Sequence, residues 1–261
     1  MNIESYIKQI KLKTKTKPKI GVVLGSGLGD FVNQINNPSF ISYKDIPNYP
    51  LSTVKGHEGQ FIIGTINNNP IICAQGRFHF YEGYDYHTTT LPIDIFHLLG
   101  CKTAIITNAA GCMNKSWKLG SLMLIKRCID FTFQRSSKPK IYFENNTLFN
   151  NQIQKIIDDL SKIYPMNKGT YSWVLGPTYE TPSEIKKIKS LGGDVIGMST
   201  MPEIIKANKY GMNVIGLSCL SNYASGISKN PLTHKDVLDE VNKSKNIFTN
   251  LLSDLIKLIK E

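Results

Sequence analysis

The feature that most narrows what this chain can fold into is a repeated pairing. A short apolar run of strand type stops at small and polar residues, and a segment with helical spacing follows. Ile20–Leu24 runs into Gly25-Ser26-Gly27-Leu28-Gly29, Ile71–Ala74 into Gly76-Arg77-Phe78-His79, and Thr103–Thr107 into Asn108-Ala109-Ala110-Gly111. Tyr171–Leu175 meets Gly176-Pro177, and Val214–Leu220 meets Ser221-Asn222. Apolar residues recur at helical spacing in residues 3–10, 91–99, 153–163 and 233–260. Short apolar runs bounded by breakers read as buried strands, and residues three to four apart read as one helix face. Their alternation predicts an α/β protein with a central mixed sheet flanked by helices. With 261 residues and 41% apolar content, one core is expected, so the whole of 1–261 reads as a single domain.

Several classes are disfavoured. No segment is apolar for long enough to span a membrane, and the Met1–Ser5 start has no basic stretch leading into an apolar run, so cytoplasm is the expected compartment. The five cysteines form no C-x-x-C pair, which argues against a zinc site or a disulfide framework. A net charge of +11 raises nucleic acid as a partner, but the lysines are dispersed apart from those in Lys11–Lys19. A specific nucleic-acid site is therefore not expected.

Chemistry concentrates where the predicted strands end. Gly76–His87 packs a cation, imidazoles and phenols between glycines and follows neither helical nor strand periodicity, which marks a functional loop. Gly25–Asp30 is a phosphate-loop candidate with a helix expected after it, although it fits neither G-x-G-x-x-G nor the Walker pattern. His57 lies in a loop between Gly56 and Gly59. Ser26, Arg77, His79, the amides near Ala109, and Ser199 are all donors, which suits an oxyanion such as phosphate. Glu180 and Asn222 offer an acceptor and an amide, which suits the edge of a heterocycle bearing N–H groups.

Taken together, these residues resemble the trimeric purine nucleoside phosphorylases. The likeness runs in order through Gly25–Gly29, Gly56-His57, Gly76–Gly83, Thr107–Gly111, Gly176–Thr181, Gly197–Glu203, Ser221-Asn222 and His234. It implies that Ser26, His57, Arg77, His79, Ala109 and Ser199 hold phosphate. It also implies that Tyr81, Met198 and His234 hold the ribose, and that Glu180 and Asn222 hold the purine beside the aromatic Tyr179. Asn222, Glu180 and His79 would stand closest to the chemistry. The resemblance further implies a homotrimer completed by a neighbour's aromatic, with Phe131 and Phe133 as candidates, and no cofactor beyond phosphate as co-substrate. The expected reaction is phosphorolysis of 6-oxopurine nucleosides. A 5′-methylthioadenosine phosphorylase is disfavoured, because Glu180 would face the unprotonated N1 of adenine and His234 suits a 5′-hydroxyl. Xanthosine stays open because Tyr179 and Tyr223 alter the base pocket, and a basic nucleic-acid-binding scaffold is the non-enzymatic alternative.

Overall fold

A computed structural model describes residues 3–54, 58–143, 148–227 and 234–260, the last stretch without the side chains of residues 234–236 and 238. The strands are β1 (Ile20–Leu24), β2 (Asn36–Ser42), β3 (Gln60–Ile66), β4 (Asn69–Gln75), β5 (Thr103–Cys112), β6 (Leu122–Asp130), β7 (Lys140–Tyr142), β8 (Met166–Trp173), β9 (Val195–Gly197) and β10 (Asn213–Tyr223). The helices are α1 (Ile3–Lys13), α2 (Tyr86–Thr89), α3 (Leu91–Leu98), α4 (Asn151–Ile163), α5 (Pro182–Ser190), α6 (Met201–Lys209) and α7 (His234–Leu258).

The strands form one mixed sheet in the order β10-β6-β8-β9-β5-β1-β4-β3-β2, with β7 on β6. Because β10 also pairs with β5, strands β5, β10, β6, β8 and β9 close into a ring. An open wing of β1, β4, β3 and β2 extends from β5, the strand shared by both parts. Helices flank the sheet: α7 packs on β10, β3 and α4, while α3 packs on β1, α1 and α6. The expected α/β class with a central mixed sheet is therefore what the chain adopts.

Local chemistry explains most boundaries. The Asn150 side chain accepts the Ile153 N–H at 2.9 Å and starts α4, which buries Ile153, Ile157 and Leu160 along one face. Pro92 sits in the first turn of α3. The β3–β4 hairpin turns on Asn67 and Asn68, both left-handed at φ 48° and 67°. From the start of β4, Asn69 donates to the carbonyls of Ile256 and Ile259 and so caps the end of α7.

Other expectations change. No α-helix follows Gly25–Asp30; a 3-10 turn over Gly29–Gln34 buries only Phe31, and β2 begins immediately afterwards. The runs expected to end at Thr107 and Leu220 continue as β5 and β10, which pair in parallel as far as Cys112 and Tyr223. Thr233, the first residue of the 233–260 segment, lies outside the described residues.

Candidate active site

The ends of β1, β4, β5, β8, β9 and β10 meet at one cavity. Ser26, Arg77, His79, Tyr81, Ala109, Tyr179, Glu180, Met198, Ser199 and Asn222 all line it. Asn108, Gly111, Gly197, Ser221 and Val237 complete much of the wall. His57 and the His234 side chain lie outside the described residues. Close approach of the loops depends on missing side chains. A Cβ on Gly25 would lie 2.7 Å from the Asn108 Cα, which lets the first loop sit directly on β5. Gly176, at φ +76°, leaves no room for one either, since it would come 2.4 Å from the Met198 sulfur.

At one end lies a buried polar knot. Arg77 is 2% exposed; its Nη1 donates to the Thr107 carbonyl at 2.8 Å and to Ser199 Oγ at 3.1 Å, and its Nη2 stands 3.0 Å from Glu203 Oε2. Burial raises the Glu203 carboxyl above the usual carboxylate range, and the guanidinium beside it opposes that shift. Thr200 receives a hydrogen bond from Asn108 Nδ2 at 3.0 Å. Its backbone has φ 70° and ψ −54°, and Met201 N–H donates across it to the Ser199 carbonyl at 2.7 Å. These are the marks of a γ-turn of the rare, strained kind, here on a β-branched residue. Such strain persists only where the surroundings over-determine it, as Asn108, Arg77 and the buried Tyr171 hydroxyl do here.

Beside the knot, His79 Nδ1 lies 3.0 Å from Glu82 Oε1, and its ring stacks on Tyr81 at 4.7 Å between centroids. Glu82 also accepts from His79 N–H at 2.8 Å, from Thr53 N–H at 2.8 Å and from Thr53 Oγ1 at 2.9 Å. Burial works against its ionisation, but these donors outweigh it and take the carboxyl down to about 2. An ionised Glu82 fixes the proton of a neutral imidazole on Nδ1, so Nε2 carries the lone pair. Burial lowers the His79 pKa, with Glu82 opposing, which favours that neutral ring.

The far end is built from Asn222, Glu180, Tyr179 and Met198. Asn222 sits at an irregularity in the β10–β5 pairing, which turns its side chain toward Gly111. Ser221 Oγ donates to Asn222 Oδ1 at 2.7 Å, and Asn222 Nδ2 donates to the Tyr223 carbonyl at 3.2 Å, so the amide has a set orientation. Burial raises the Glu180 carboxyl, with Glu184 adding to the shift. Tyr179 is 41% exposed. The Tyr223 hydroxyl donates instead to the Trp117 carbonyl at 2.9 Å, and Tyr223 is not part of the cavity wall, contrary to the expectation that it shapes a base pocket. Phe131 and Phe133 stack edge to face at 5.0 Å and do not line this chain's own cavity.

Residues 19–257 match the family model described as the Phosphorylase superfamily. This chain belongs to that superfamily. Within it the chain falls among the purine nucleoside phosphorylases, as its motifs imply. It is similar to purine nucleoside phosphorylase 1 of Bacillus subtilis (strain 168), with 39% identity over 266 residues and 97% of each chain covered. It is also similar to purine nucleoside phosphorylase 1 of Geobacillus stearothermophilus, 38% identical over 267 residues that cover 98% of this chain and 96% of that one. Its fold matches the crystal structure of Schistosoma mansoni purine nucleoside phosphorylase in complex with inosine at a TM-score of 0.88. That pair is 29% identical, with 100% of this chain and 97% of the other covered.

Sequence reasoning left several wall and support residues without a role. Glu82 and Glu203 sit inside motifs that carry the phosphorylase likeness, and their offsets from His79 and Thr200 are the signal that could have marked them. Asn108 and Ser221 each stand next to a residue that was singled out, and their roles come from bonds to Thr200 and Asn222.

Proposed function

We propose that this phosphorylase cleaves 6-oxopurine nucleosides (inosine, guanosine and their deoxy forms) with inorganic phosphate, giving the free base and (deoxy)ribose 1-phosphate in purine salvage. One observation carries the reading. A donor cluster (Ser26, Arg77, Ala109, Ser199), with His79 Nε2 beside it to accept the P–OH proton of phosphate, and an acceptor-plus-amide pair (Glu180, Asn222) line the same cavity. The first suits a dianion, and the second suits the N1–H, O6 and N7 edge of hypoxanthine or guanine.

In this reading phosphate occupies the donor cluster with His57 at its edge, and Tyr81, Met198 and His234 hold the sugar. The N-glycosidic bond breaks through a ribosyl cation. Phosphate places negative charge near C1′, and its oxygen forms the new C1′–O bond as the electron pair of the C–N bond passes to the purine. Asn222 Nδ2 donates to N7, a contact that strengthens as charge builds on the leaving base. Glu180, as a carboxylate, accepts from N1–H. Phosphate is the co-substrate, and the donor set calls for no metal or organic cofactor. A homotrimer, a single domain and a cytoplasmic location complete the proposal on the strength of the family likeness.

Release of free base from inosine, guanosine, xanthosine, adenosine and methylthioadenosine, each with and without phosphate, tests it. Phosphate-dependent cleavage confined to the 6-oxopurine nucleosides is expected, with xanthosine reporting the base preference among them. Cleavage independent of phosphate, or a preference for adenosine, would overturn the reading.

A further inference from the structure

Glu203 is a fully buried carboxylate that the proposed mechanism does not use. It does not line the cavity; Arg77 does, and Glu203 sits behind it with Oε2 3.0 Å from Nη2. Each residue is 2% exposed. Among the described residues Glu203 makes no ion pair besides this one. Stability alone is a weak reason for such a pair, because apolar residues of similar volume often serve a buried site as well.

Electrostatics supplies a better one. Inorganic phosphate and a sugar 1-phosphate are both dianions, and in a dry site attraction to a bare guanidinium falls off only slowly with distance. A carboxylate directly behind the guanidinium offsets much of the field felt by an anion in front. We propose that Glu203 is a positioning residue of an electrostatic kind, a counter-charge that weakens the anion site so that anionic co-substrate and product can exchange. This rests on the phosphate reading of the cavity. It makes a prediction opposite to that of a steric role. If Glu203 merely aims the guanidinium, its loss weakens anion binding; if it is a counter-charge, its loss strengthens binding.

The test is calorimetric titration of inorganic phosphate, without nucleoside, into the wild-type protein and Glu203→Gln, both purified in phosphate and then dialysed free of it. The variant is expected to bind phosphate about tenfold more tightly or better, since an uncompensated charge near a dianion acts in a low dielectric. In steady state its KM for phosphate falls and its kcat falls too, the pattern of an anion held too firmly in the ground state. An unchanged Kd would mean that the carboxyl carries no charge in the pair, and a raised Kd would mean that it only aims Arg77; either result overturns the inference. Failure of the wild type to bind phosphate would instead overturn the phosphate reading itself. If Glu203→Gln is unstable without the anion, the phosphate dependence of its melting temperature gives the same comparison through linkage. Onset at lower phosphate than in the wild type supports the counter-charge, and onset at the same or higher phosphate overturns it.

Discussion

At the proposed phosphate end, Arg77, Thr200 and Glu203 are each 2% exposed or less and are bonded to one another, whereas at the proposed base end Tyr179 is 41% exposed. One end has its geometry set by bonds within the protein, and a backbone turn held in a strained form is part of it. The other end is closed mainly by the Ser221–Asn222 bond and by Gly176 seating its loop against Met198. The contrast follows from the ligands. A phosphate is the same in every turnover and rewards rigid donors, while bases differ at their edges and a half-open wall accommodates them. Variants at the buried end should therefore lower stability and rate together, and variants at the open end should alter rate or selectivity alone.

Arg77→Met is the most severe test. It strands Glu203 in a dry site and removes the central cation, so we expect kcat/KM for phosphate to fall about a thousandfold and the protein to lose roughly 3–5 kcal/mol of stability. Urea unfolding beside steady-state kinetics measures both. A stable variant with the same loss of rate would break the claim that rigidity and function are coupled at this end.

Asn222→Ala comes next. Loss of a donor to the leaving base typically costs about 2.7–4 kcal/mol in the transition state, so turnover of inosine should fall about a hundredfold or more. Stability should change far less than in Arg77→Met, because among the described residues the Asn222 side chain bonds its sequence neighbours Ser221 and Tyr223 rather than a buried charge. An unchanged kcat in purified Asn222→Ala removes this residue from the chemistry.

Much of this organisation is legible in the sequence. The apolar cores of β1, β4 and α4 stand where periodicity puts them, because each is a local pattern that burial reinforces. The β5–β10 pairing that closes the ring is not legible, since it joins residues about a hundred positions apart and no local signal encodes a register. The same holds for Glu203, whose meaning depends on an arginine far away in the chain. Thr200 is opaque for another reason: a β-branched residue at positive φ contradicts its own propensity, so only the completed knot explains it. Helix α5 is a different case: its Thr181–Glu184 capping box, with Pro182 in the first turn, is a local spacing signal, yet its short apolar pattern is not among the segments read as helical from the sequence.

Glu180→Gln probes selectivity at the open end. A glutamine can turn its N–H toward adenine N1, so we expect inosine kcat/KM to fall about ten- to a hundredfold and the adenosine-to-inosine ratio to rise. Because burial raises the Glu180 carboxyl, the wild type should also lose inosine affinity as pH falls through that raised pKa, and the glutamine variant should lack this acid limb. Binding of inosine across the acid range, with stability followed in parallel, checks both.

Glu82→Gln tests the buried end more gently. With the folded carboxyl at about 2 against an ordinary 4.5, Glu82 contributes stability that is fully present above pH 4.5 and is lost as pH falls toward 2. The contribution is at most about 3 kcal/mol. The glutamine variant should unfold with a flatter pH dependence across that window. Because the anchor for the His79 tautomer is gone, it should also turn over about tenfold more slowly at neutral pH. Equal pH slopes for the two proteins would show that the four donors around Glu82 do not hold it ionised.

The smallest effect belongs to Tyr179→Phe, and it sharpens the comparison because of its size. The ring can still cover a base, and a hydroxyl on a side chain that is 41% exposed has water as an alternative partner, so inosine kcat/KM and stability should stay within about twofold. Xanthosine is the discriminating substrate. Its extra carbonyl at C2 lies on the purine edge next to N1, the position that Glu180 reads in the proposed pose. The Tyr223 hydroxyl is bonded to the Trp117 carbonyl outside the cavity wall, whereas Tyr179 lines that wall, so its phenol is the group to test against the C2 carbonyl. Activity on xanthosine that falls about tenfold or more in Tyr179→Phe, with inosine unchanged, would assign a polar contact in the base pocket to Tyr179. It would also show that the base end, although more exposed, is as selective as the buried end is rigid.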